Sequence, residues 1–267
     1  MPPRPHWTDL VAADFENPDV ASWIAVLPVA AVEQHGPHLP MGTDTFIADA
    51  HVAATVARLP ADLPAVFLPT QAVAWSIEHD AHPGTLTLSH ETVARAWIEI
   101  GASVAAAGIR KLVIVNAHGG NSPILDVVCR DLRVRRDMLA VATSWSRFGR
   151  PEGAIAEDER RHGIHAGDVE TSLMLAIRPD LVCTAALPDL PSEQAAYERD
   201  FAHLRAYGPH AFGWRIEDLN SAGAVGDARR ATAEKGRALI DHAVTGFLAL
   251  LDDVHRFDLA RLRTHGR

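Results

Sequence analysis

Cysteine is scarce in this chain of 267 residues, which holds only Cys129 and Cys183. They form no paired spacing, and both fall in apolar, helical or near-helical contexts. That excludes a disulfide scaffold and predicts reduced core thiols of a cytoplasmic protein. Long apolar runs are lacking too: no window approaches the roughly 18 apolar residues of a membrane span. The stretch Met1-Pro2-Pro3-Arg4-Pro5-His6-Trp7 has no apolar core and no cleavage pattern, so no signal peptide is expected. Positive charge is in deficit, with 25 Lys and Arg against 34 Asp and Glu and a net charge of −9. That balance argues against nucleic acid or an anionic membrane as the main partner. Internal repeats, low-complexity tracts and linkers are absent, which points to a single domain over residues 23–267 behind an irregular lead-in at 1–22.

The composition that is present, 48% hydrophobic and 22% charged, is that of an ordinary soluble globular protein. The length suffices for one large α/β domain. Fifteen histidines are many for such a chain and direct attention to metal chemistry.

Trp23–Val32 is nearly continuous in apolar residues, the mark of a strand buried on both faces of a parallel sheet. A helical pattern over Phe46–Leu59 follows, stopped by Pro60. Ala65–Leu68 reads as a second strand and leads into Gln71–Gly84, a long loop carrying Trp75, Glu78, His79, Asp80 and His82. Ser89 is the expected N-cap of a helix with Val93, Ala96, Trp97, Ile100 and Val104 on its apolar stripe. Lys111–Asn116 is the clearest strand, and a helix is expected to open near Pro123. Leu139–Ser144 is the next strand. Three β-loop-α repeats predict a parallel sheet with helices on both faces, a three-layer α/β/α fold. Arg147–Gly163 reads as a charged surface loop or lid. Leu173–Ile177 reads as a helix, and Glu193–Leu204 as a possible one. Tyr207–Gly226 reads as loop, and Ala231–Val254 as the last amphipathic helix. The group Arg133, Arg135 and Arg136 reads as a solvated helix end.

Chemistry-bearing residues gather in four places: Glu33 and His35, then Asp44, then His118, then Glu170. Most follow a predicted strand or open a helix, and in a parallel sheet such positions collect at one edge. They supply three carboxylates and two imidazoles, a donor set suited to zinc, manganese or iron. With Asp44 as a bridge they suffice for two divalent ions about 3.5–4 Å apart, which can hold a hydroxide between them and polarise a carbonyl. Each fragment alone also has a plainer reading. Glu33 and His35 would serve a hydrogen-bonded turn, His118 a bond to a backbone carbonyl, and Glu170 the dipole of a helix N-terminus. His79 and His82 fit a cavity wall better than a ligand set. His203, His210, His242, His255 and His265 read as surface or packing residues.

Several motifs together resemble the creatininase (creatinine amidohydrolase) family. They are Glu33-Gln34-His35-Gly36-Pro37-His38-Leu39-Pro40, Thr43-Asp44-Thr45, Asn116-Ala117-His118-Gly119-Gly120-Asn121 and His165-Ala166-Gly167-Asp168-Val169-Glu170-Thr171-Ser172. Ser221-Ala222-Gly223-Ala224-Val225-Gly226-Asp227 and Ala231-Thr232-Ala233-Glu234-Lys235-Gly236 resemble its C-terminal signature. The resemblance spans Trp23 to Leu250. It implies a creatininase-like three-layer fold, a two-metal site and often a hexamer. It matches Glu33, His35, Asp44, His118 and Glu170 to metal ligands, with Asp44 bridging, and His165 to a proton-transfer residue. The acidic residue that creatininase carries two positions after the ligand histidine is Gly120 here. The tryptophan that closes over creatinine is Arg161 here.

These departures argue against creatinine as the substrate and leave Arg161 either facing an anionic substrate group or simply solvated. The expected activity is metal-dependent hydrolysis of a small cyclic or formyl amide, with His165 and Glu170 as catalytic residues. Trp75, His79, Gly119, Asn121 and Arg161 are the candidate substrate contacts. The alternatives are a peptidase trimming a short modified peptide, as in mycofactocin maturation, a hydrolase of a cyclic ketone, and a non-catalytic metal-binding protein.

Overall fold

The computed structural model describes residues 1–263, so His265 lies outside the described residues. Ile24–Val29 (β1), Ala65–Phe67 (β2), Lys111–Asn116 (β3) and Leu139–Ser144 (β4) form a sheet in the order β2-β1-β3-β4. Every pairing is parallel, with Ile24 opposite both Ala65 and Lys111, and Asn116 opposite both Val29 and Ser144. The apolar run that begins at Trp23 leaves the sheet after Val29, because β3 ends at the residue opposite it. Pro28 is tolerated in this inner strand because its amide side faces β2, which has already ended at Phe67.

Four helices sandwich the sheet. Thr43–Ala57 (α1) covers one face together with a long final helix. His90–Ala106 (α2) and Ser122–Arg136 (α3) cover the other. Ser89 caps α2 as expected, its Oγ accepting from the Thr92 amide. Pro123 lies in the first turn of α3. Ala25, Leu27 and Leu112 point toward Trp97, Val104, Val128 and Leu132. Ile24, Val26 and Val113 point the opposite way, toward Val52, Phe247 and Leu251. This alternation, buried on both sides, is why the strands read as unbroken apolar runs. Each such side chain contributes about 1.5–3 kcal/mol when fully buried, so these two layers stabilise most of the fold.

The remaining elements are Glu157–His162 (α4), Asp168–Ile177 (α5), Asp189–Leu190 (β5), Gln194–Asp200 (α6), Ile216–Leu219 (α7), Gly226–Asp227 (β6) and Ala233–Arg256 (α8). β5 and β6 pair antiparallel away from the main sheet. The lead-in folds into three short 3-10 turns, and Trp7, Leu10 and Phe15 pack against the core. No described helix is long and apolar enough to cross a membrane.

Several expectations shift. α1 starts at Thr43 rather than Phe46, with the Thr43 hydroxyl bonded to the Pro40 carbonyl at 2.7 Å. α5 starts at Asp168 rather than Leu173. Asp44 and Glu170 therefore sit in first helical turns, where the helix dipole favours a negative charge. The charged stretch 147–163 contains α4 and is not wholly a loop. Cys183 is exposed instead of buried in the core, while Cys129 is half-buried.

Gly236 marks the closest contact between α5 and α8: a Cβ there would run into the Ser172 carbonyl. Gly101 faces only the mobile end of Leu132. Gly236→Ala should lower the unfolding free energy by about 1–3 kcal/mol in urea titrations, and Gly101→Ala by distinctly less, because a backbone carbonyl yields less easily than a side-chain methyl.

Candidate metal centre

Parallel connections place every strand-following loop at the same edge of the sheet. Glu33 and His35 follow β1, His118 follows β3, and the Trp75–His79 segment follows β2. β1 lies between β2 and β3, so its outgoing loop and that of β3 part over a switch point, where open α/β sheets form their binding crevices. The first turns of α1 and α5 add Asp44 and Glu170.

Glu33, His35, Asp44, His118 and His165 are all buried here. Asp44 stands at the centre. Its Oδ1 lies 3.5 Å from His35 Nε2, and its Oδ2 lies 3.4 Å from His118 Nδ1. On the first side Glu170 Oε2 lies 3.8 Å from His35 Nε2. On the second Glu33 Oε1 lies 3.2 Å from His118 Nδ1. The result is two half-sites sharing one carboxylate.

Each imidazole is oriented from behind by a backbone carbonyl. His35 Nδ1 donates to the Glu33 carbonyl at 3.0 Å, and His118 Nε2 donates to the Trp75 carbonyl at 3.0 Å. The opposite ring nitrogens thus face the carboxylate cluster, the orientation in which metal-binding histidines present them once deprotonated. Glu33 Oε2, His35 Nε2 and Asp44 Oδ2 are buried without a hydrogen-bond partner. No lysine or arginine pairs with Glu33, Asp44 or Glu170 among the described residues. Buried charge without a counter-ion is costly, so this donor set fits divalent cations of the zinc, manganese or iron type.

The electrostatics agree. Burial disfavours the charged form of His35, but Asp44, Glu170 and Glu33 outweigh it and raise its pKa to about 10. Burial likewise opposes charge on His118, yet Glu33 and Asp44 hold it well above the usual imidazole range. Burial works to raise the Asp44 carboxyl, but His35 and His118 draw it down. Glu170 is pushed up to about 7 by burial, partly offset by His35. His165 stays well below the imidazole range because of burial and then the charge of His35.

His165 donates through Nε2 to the Gln34 carbonyl at 2.8 Å, and its Nδ1 lies 3.7 Å from Glu33 Oε1. His79 Nε2 lies 3.5 Å from the same oxygen. With Glu33 the two imidazoles form a further donor group compatible with a metal ion, so His79 stands inside the cluster rather than only on a wall. Gln34 ties the parts together. Its amide donates to His79 Nδ1 at 2.8 Å and to the Gly223 carbonyl, while its oxygen accepts from the Gly36 amide. The position of Gln34 between two candidate ligands was the sequence signal for this role.

A cavity of 760 Å³ opens over the cluster, lined among others by Trp75, His79, Gly119, Tyr207, Trp214 and Arg215. Trp75, His79 and Gly119 thus stand where a substrate contact was expected. Asn121 and Arg161 do not. Asn121 is fully buried, and its amide donates to the Ala30 and Asn116 oxygens, bracing the two ligand loops. Arg161 is exposed and pairs with Glu198, 2.5 Å away, outside the cavity lining. The arginine on the cavity wall is Arg215, from a segment whose aromatic density was its only sequence signal. His82 Nε2 lies 2.7 Å from Glu217 Oε1.

The profile of the creatininase (creatinine amidohydrolase) family matches residues 8–251. The chain belongs to the creatininase family. It is accordingly a hydrolase of carbon–nitrogen bonds. Over 227 residues it is 34% identical to a mycofactocin precursor peptide peptidase of Mycolicibacterium smegmatis, covering 84% of this chain and 82% of that protein. Over 243 residues it is 29% identical to a creatinine amidohydrolase of Pseudomonas putida, covering 84% of this chain and 86% of that protein. A solved structure titled as a manganese creatininase superposes with a TM-score of 0.75 at 25% identity, over 95% of this chain and 99% of that one.

The raised values of His35 and His118 set the sign of a pH dependence. Both rings carry protons at neutral pH when no metal is bound, and a dication must displace them. Metal affinity should therefore rise as pH increases from 6 to 9. Zinc uptake near pH 7 should release about two protons per chain, read by calorimetry in buffers of different ionisation enthalpy.

Proposed function

We propose that this creatininase-family hydrolase is a metal-dependent amidohydrolase, with Glu33, Asp44 and His118 holding one divalent ion and His35, Asp44 and Glu170 a second. The observation that carries the reading is the division of the Asp44 carboxylate, one oxygen toward each imidazole, beside buried donor atoms without partners. Divalent ions bound there would supply Lewis-acid polarisation of a carbonyl and an acidified water.

The chain's own residues account for the remainder. His165 is held neutral, and its Nε2 proton is committed to the Gln34 carbonyl. Its Nδ1 is therefore free to accept a proton inside the cavity and return it to the departing nitrogen, the task of a general acid–base imidazole. Ala166, in the left-handed region at φ 58°, turns the chain so that its amide donates to Glu170 Oε2 at 2.6 Å. That bond places the Glu170 carboxylate at the opening turn of α5. The substrate is a small amide, cyclic or formyl.

A second reading, trimming of a short peptide, is favoured by the cavity. A space of 760 Å³ with Trp75, Tyr207, Phe212 and Trp214 on its walls accommodates an extended chain better than one small ring. The relative at 34% identity bears a peptidase name. The same proposal places the protein in the cytoplasm as a hexamer, which light scattering of the purified protein tests.

Purified protein should carry about two divalent ions per chain by elemental analysis. His118→Ala should abolish turnover and lower metal content while the circular dichroism is retained; unchanged turnover would exclude the proposed centre. His165→Ala should keep its metal and lose roughly 10²–10⁴-fold in kcat, the range of a lost general acid–base. A screen of cyclic amides, formamides and short peptides with added manganese or zinc separates the two substrate readings.

A further inference from the structure

We propose that Glu78 is a positioning residue for His118, holding from behind the imidazole that faces the metal centre. The inference rests on the metal-centre reading above and adds to it a residue from a different loop. His118 Nδ1 is directed at Glu33 and Asp44. On the opposite side, three acceptors converge on Nε2: the Trp75 carbonyl at 3.0 Å, Ser76 Oγ at 3.4 Å and Glu78 Oε1 at 3.4 Å. The Trp75 carbonyl, which can only accept, fixes the ring's tautomer, and Glu78 brings the only carboxylate of the three.

The Glu78 side chain is 12% exposed and has no lysine or arginine partner among the described residues. Burial raises its carboxyl, with Glu33 and Asp44 adding to that, and His118 is the cation that draws it down. A carboxylate behind a ligating imidazole orients the ring and makes it a stronger donor to a cation.

Gly120 is the clearance that admits this arrangement. A Cβ at that position would overlap Glu78 Oε1 and come 2.5 Å from His118 Nε2. Any side chain at residue 120 must displace either the carboxylate or the ring. The bare glycine after Gly119 and the acid at residue 78 are thus parts of one device, although 42 positions separate them in the chain.

The test compares wild type with Glu78→Gln, Glu78→Ala and Glu78→Asp, using Asp80→Asn as a control. Asp80 lies in the same loop, 3.6 Å from Arg215, and does not contact His118. Zinc dissociation constants come from chelator competition, and the visible absorption of the cobalt(II)-loaded proteins reports the ligand field. With circular dichroism unchanged, Glu78→Gln and Glu78→Ala should bind zinc about 10–100-fold more weakly and shift the cobalt bands. Glu78→Asp should restore part of the affinity, and Asp80→Asn should match wild type. Wild-type zinc affinity and cobalt bands in the Glu78 variants would overturn the inference while leaving the centre intact. A wild-type protein that binds neither ion would overturn both.

Discussion

Glu33, Asp44 and Glu170 bring together three carboxylates with which no lysine or arginine pairs among the described residues. The surrounding structure answers to that constraint. Such charge, taken out of water and left unpaired, would cost several kcal/mol per group. Imidazoles from two loops meet it in part, which is why His35 and His118 hold their protons so firmly. The first turns of α1 and α5 meet another part by presenting their positive ends to Asp44 and Glu170. Divalent ions bound as proposed would complete the balance and supply a Lewis acid.

Rigidity around the cluster comes from residues with no place in the chemistry. Gln34 links the first ligand loop to His79 and Gly223, and Asn121 links it to the loop after β3. Carbonyls of Glu33 and Trp75 set the two imidazole tautomers. The ligands are thus held by backbone and amide groups buried beneath the cavity. The cavity wall above them is built largely from the loop after β2 and residues 207–215. This division matches a family whose relatives carry different substrate names on a shared framework.

Much of the fold was legible because its signals are local. Lys111–Asn116 and Leu139–Ser144 are strands to the residue, and Ser89 and Pro123 open their helices as their chemistry requires. The helix starts at Thr43 and Asp168 were harder to read. Their first turns carry polar ligands where an apolar stripe is the usual sign of a helix, and so they read as loop. Arg161 and Asn121 were candidates for substrate contact by position alone. Their side chains turn respectively to Glu198 and to the Ala30 carbonyl and Asn116 side chain, and no spacing rule records such a choice. Arg215 and the aromatic residues beside it reach the cavity from a segment without periodicity.

The sequence by itself determined the elements and the donor types. Alternation and apolar runs specify strands, caps specify helices, and the short motifs place carboxylate and imidazole within a few residues of each other. Tertiary structure alone decided that Asp44 faces two imidazoles at once, that Glu78 stands behind His118 over a glycine, and that Arg215 rather than Arg161 lines the cavity. The physical reason is range. Backbone preference acts over a few residues, whereas the direction of a buried side chain is set by whatever packs against it from distant parts of the chain.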